Sequence, residues 1–139
     1  MSRDTTETKT EPNKEAASIM GKDIEVHTYA SGKEATKTVF VLKEQMTESE
    51  AKSFLRDAKT GTEHQYGMPD VFEALLMLVE SDELEARLLP EDNSKIMAVD
   101  QYGPFGAIVV GISSEVFENN NVCPLSRDEK ATLVMLMRR

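Results

Sequence analysis

Cysteine is almost absent from this sequence. The single Cys123 can close no intramolecular disulfide and offers no cysteine-based zinc cluster. Histidine is nearly as scarce, with only His27 and His64 to titrate near neutrality. No Gly-x-Ser-x-Gly elbow is present, and Gly103-Pro104-Phe105-Gly106 lacks the spacing and the lysine of a phosphate loop. Cys123 stands before Pro124 with no supporting motif for a Cys–His dyad. The longest apolar stretches, 74–79 and 107–112, fall well short of a bilayer, and the polar N-terminus carries no run of signal-peptide length. Residues 1–21 hold only Met1, Ile19 and Met20 as large apolar side chains, too few to offset chain entropy. These gaps set the expectations: a disordered tail over 1–21, one domain over 22–139, no metal, no cofactor and no membrane. The compartment expected is the cytoplasm, or a host cytoplasm if the protein is virus-encoded.

The chain does have negative charge, and most of it lies in one place. Of the formal net −9, residues 44–100 alone contribute −9, while 22–43 and 126–139 are mildly basic. An acidic whole argues against nucleic acid, because phosphate contacts supply most of that affinity. Polarisation weakens the objection, since repulsion is screened beyond a Debye length of about 8 Å.

Periodicity outlines an α+β fold. Ile24, Val26 and Thr28 alternate with Glu25, His27 and Tyr29, Gly32 marks a turn, and Thr36 to Leu42 is rich in β-branched residues, so a hairpin is expected. Thr47 and Glu50 form a capping box ahead of Ala51, Phe54, Leu55 and Ala58, a helix over about 48–59. A second helix opens at Pro69 and is apolar almost all round from Val71 to Val79, which places it at the centre of the core. Leu84, Ala86 and Leu88 alternate with charges and suggest a strand, with a continued helix as the rival. Strands follow over 95–100 and 107–112, and a capping box at Ser126–Glu129 opens a last helix through Met137. The order is ββααβββα: about five strands in an antiparallel or mixed sheet, with about three helices.

Two surfaces carry recognition chemistry. The hairpin displays His27, Tyr29, Lys33, Lys37 and Lys43, and Arg138 and Arg139 close the chain. If the His27–Tyr29 side faces solvent, its rings stack on unpaired bases while the lysines meet phosphates. The lead expectation is therefore a non-enzymatic accessory protein holding single-stranded DNA, in the manner of a virus-encoded cofactor of a nucleic-acid machine. The alternative uses the acidic run at Asp82, Glu83 and Glu85 as a docking surface for a basic protein partner. Such a run is ordinarily a solvated face, and it lacks the pattern of a calcium loop. A small enzyme built around His27, His64 or Cys123 is the third reading.

Overall fold

The computed structural model describes residues 14–32, 35–60, 65–101, 106–114 and 122–138. The fold is α+β. Its larger sheet has strand order β1-β2-β3-β8-β4, with every ladder antiparallel. These strands are β1 (Lys14–Ile19), β2 (Lys22–Ser31), β3 (Ala35–Leu42), β4 (Gln65–Gly67) and β8 (Val134–Arg138). A smaller sheet joins β5 (Ile96–Asp100), β6 (Ile108–Ile112) and β7 (Cys123–Pro124). Parallel bridges tie β5 to Thr132 and to Asp70, through Met97 N–H to Thr132 O and Val99 N–H to Pro69 O. Among the described residues, three helices cover these sheets: α1 (Glu48–Thr60), α2 (Val71–Glu80) and α3 (Asp82–Leu88).

Cores lie on both faces of the larger sheet. On one, Val39, Val41 and Val134 pack with Ala74, Met77 and Leu78 of α2, Leu84 and Leu88 of α3, and Ile96 and Val110. On the other, Ile24, Leu42 and Met135 meet Ala51 and Phe54 of α1. This double coverage decides where the hairpin side chains go.

The hairpin and α1 form where expected, and the Thr47–Glu50 capping box is closed from both sides. Four expectations need correction. Strand structure begins at Lys14, inside the segment read as a tail: β1 pairs with β2 across Met20-Gly21, both at positive φ, as a tight right-twisted hairpin requires. Residues 1–13 lie outside the described residues. Segment 82–88 is a helix, because Leu84 and Leu88 satisfy a spacing of four as well as of two, and Ser81 caps it by accepting from Leu84 N–H. The second helix begins one residue after its N-cap, Asp70, which forms a capping box with Glu73.

The last segment is a strand, not a helix. Ser126 and Glu129 make a single turn, Glu129 accepts from Lys95, and the chain then pairs with Met46 at Ala131. Leu133 and Met135 belong to one core and Val134 to the other. A strand buried on both faces shows a continuous apolar run, which imitates a helix in sequence.

Candidate docking surface

The hairpin turns its charged and aromatic side inward. Cross-strand register sets Glu25 opposite Val41, His27 opposite Val39 and Tyr29 opposite Lys37, so these side chains share the face that α2 and α3 cover. Glu25 is buried, and Arg87 of α3 reaches it with two hydrogen bonds of 2.8 and 2.9 Å. His27 Nε2 lies 2.8 Å from the same carboxylate, and its side chain is only 14% exposed. Tyr29 packs half-buried against the core, and its hydroxyl is pushed up to about 12, first by burial and then by Glu80. The expectation that His27 and Tyr29 face solvent is therefore corrected. Alternation placed them correctly on one side together, but that side is under the helices.

The lysines are dispersed. Lys37 Nζ stands 3.8 Å from Glu80 Oε1, and Ser31 Oγ donates to the other oxygen of Glu80 at 2.8 Å. Lys22 pairs with Glu44 at 2.9 Å. Lys43 is exposed beyond the end of β3. Arg138 is a strand residue, paired through its backbone with Gln65 and not at a helix C-terminus. Lys33 and Arg139 lie outside the described residues.

The acidic surface is built differently. Asp82 and Glu83 are exposed in the first turn of α3, and Glu85 is half-buried. The one cation of the two helices, Arg87, is drawn inward to Glu25. Helix α2, which precedes these carboxylates in the chain, carries a feature that sequence reasoning missed. Phe72 and Val79 of α2 are 72% and 65% exposed. With Leu76, half-buried between them, they occupy the i, i+4 and i+7 positions of one helix face. Ala74, Met77 and Leu78 form the opposite, buried face. The expectation that α2 is enclosed at the core's centre is corrected on this point: one side is packed and the other is bare. The signal is present in the sequence, since a helix whose only polar residues are Glu73 and Glu80 has no broad polar face to mark an outside.

Among the described residues, no group of three or more His, Cys, Asp or Glu side chains is arranged to hold a metal ion. No described helix is long and apolar enough to cross a membrane. No protein-family model, curated protein or solved structure matches the chain.

Proposed function

We propose that this chain is a non-enzymatic protein-interaction module whose docking surface is the outer side of α2, bordered by the carboxylates of α3. The observation that carries the reading is the exposure of Phe72 and Val79 on a helix whose opposite face is packed in the core. Water is a poor environment for two large apolar side chains two turns apart. Full burial of each would contribute about 1.5–3 kcal/mol. The acidic border favours a partner with a basic surface, since opposite potentials speed encounter and select against other acidic proteins.

Single-stranded DNA is less well served. Stacking needs free ring faces, whereas the rings of His27 and Tyr29 lie beneath the helices, and Lys22 and Lys37 already face carboxylates. A titration with labelled single-stranded DNA at low salt separates the two readings. The docking reading expects no saturable binding in the tens of micromolar; tight, salt-sensitive binding lost on Lys37→Ala and Lys43→Ala would reverse the preference.

The direct test compares the full chain with a Phe72→Ser/Val79→Ser variant. Co-purification of a defined partner from the source cells should be lost while circular dichroism and the unfolding midpoint are unchanged. Retention of the same partner by the variant would remove the proposal.

A further inference from the structure

We infer that the partner segment is a basic amphipathic helix lying along α2, with its apolar residues on Phe72, Leu76 and Val79 and its cations over Asp82 and Glu83. The inference rests on the docking reading above and adds the form and charge of the occupant.

The bare strip has helical dimensions. Phe72 to Val79 covers eight residues of α2, a rise of about 10 Å along its axis, and is one side chain wide. Such a ridge is matched by the groove between side-chain rows of another helix, which meets α2 at a shallow angle. Apolar residues three and four apart on the partner would then fall beside Phe72, Leu76 and Val79.

Charge fixes the rest. Helix α2 carries Glu73 and Glu80 and no cation. Glu73 closes the N-terminal capping box with Asp70, and Glu80 accepts from Ser31 beside Lys37. Asp82 and Glu83, three and four residues beyond Val79, are the exposed carboxylates that follow the strip. Cations of the partner therefore belong at this end.

A second copy of the chain fits poorly. Antiparallel pairing of two α2 helices would set Asp82 and Glu83 toward Asp70 and Glu73, and parallel pairing would set them toward each other. Each chain has a formal net charge of −9, so both arrangements add repulsion with no cation on α2 to offset it. Anionic lipid and nucleic acid meet the same objection.

The test uses the full-length protein and a fluorescein-labelled peptide of about five helical turns, with leucine at the i, i+3, i+4 and i+7 positions and lysine elsewhere. Two controls carry glutamate for lysine, or the same composition scrambled to destroy the apolar face. Anisotropy should show saturable binding of the lysine helix, at least about tenfold tighter than either control. The Phe72→Ser/Val79→Ser variant should weaken it about tenfold, and Asp82→Lys/Glu83→Lys should weaken it severalfold and flatten its salt dependence. Amide shifts on binding should centre on 72–83.

Equal binding of the scrambled peptide would reduce the effect to general charge attraction and overturn the inference. Equal binding of the glutamate helix at α2 would overturn the basic partner while leaving the docking face standing. If no peptide binds but the Phe72→Ser/Val79→Ser variant still loses its cellular partner, the helical occupant is wrong and the docking reading survives. If that variant also keeps its partner, both fall. Concentration-dependent self-association abolished by Phe72→Ser would make a second copy the occupant, against the inference.

Discussion

The inner side of the β2–β3 hairpin and the outer side of α2 occupy environments opposite to their chemistry. Glu25 and His27 sit under cover, and the partly exposed Arg87 reaches in to Glu25, through contacts of 2.8 to 2.9 Å. Phe72 and Val79 are apolar and stand in water. A buried carboxylate is tolerable when its oxygens are satisfied, and Arg87 supplies a two-pronged partner for Glu25. An exposed apolar pair has no comparable internal remedy; only another surface can cover it. The first arrangement completes the fold by itself. The second is left uncovered by the fold, which is why we propose it as a docking surface.

The sharpest way to strain this contrast is to cut the covered side of α2. Leu78→Ala removes a side chain that is 2% exposed, and should cost about 2–5 kcal/mol in denaturant unfolding. Next, Arg87→Ala takes both guanidinium hydrogen bonds from the buried Glu25 and should cost about 2 kcal/mol, since Arg87 is itself partly exposed. A loss near zero would mean that the Glu25–Arg87 contact is incidental to joining α3 and the sheet.

The pH response tests the same covered side. Tyr29 holds its proton more tightly folded than unfolded, with its hydroxyl raised from an ordinary 10.0 to about 12. Its contribution to stability is therefore complete below the unfolded value and is lost as pH rises through about 12. Tyr29→Phe should flatten the alkaline fall in the unfolding midpoint. An unchanged alkaline limb would place the cause elsewhere, in the lysines. The smallest stability change belongs to the outer side: Phe72→Ser or Val79→Ser should shift stability by no more than about 0.5 kcal/mol while binding suffers most. If either variant unfolds the protein as severely as Leu78→Ala does, the outer side of α2 is structural after all.

The limits of sequence reading follow from the same two regions. Period two correctly grouped Glu25, His27 and Tyr29, because successive side chains of a strand must point to opposite sides. It could not say which side was wet, because here both are covered, one by α2 and α3 and the other by α1. The segment from Ala131 to Met137 was misread for a related reason. Its apolar residues from Ala131 to Leu136 serve two cores, so helical spacing and a doubly buried strand predict the same letters. In β1, Ala16 and Ala17 carry little strand propensity, and its pairing with β2 gave no local signal.

By itself the sequence determined the α+β class, the β2–β3 hairpin, α1 with its capping box, and the concentration of acid in the middle of the chain. Those features depend on neighbours within a few residues, where backbone hydrogen bonding, capping and charge act at short range. Tertiary structure alone decided that β8 lies between β3 and β4, that Arg87 is spent on Glu25, and that α2 is packed on one side only. Each of those depends on which distant surface arrives to exclude water, and that is set by the closure of the whole chain.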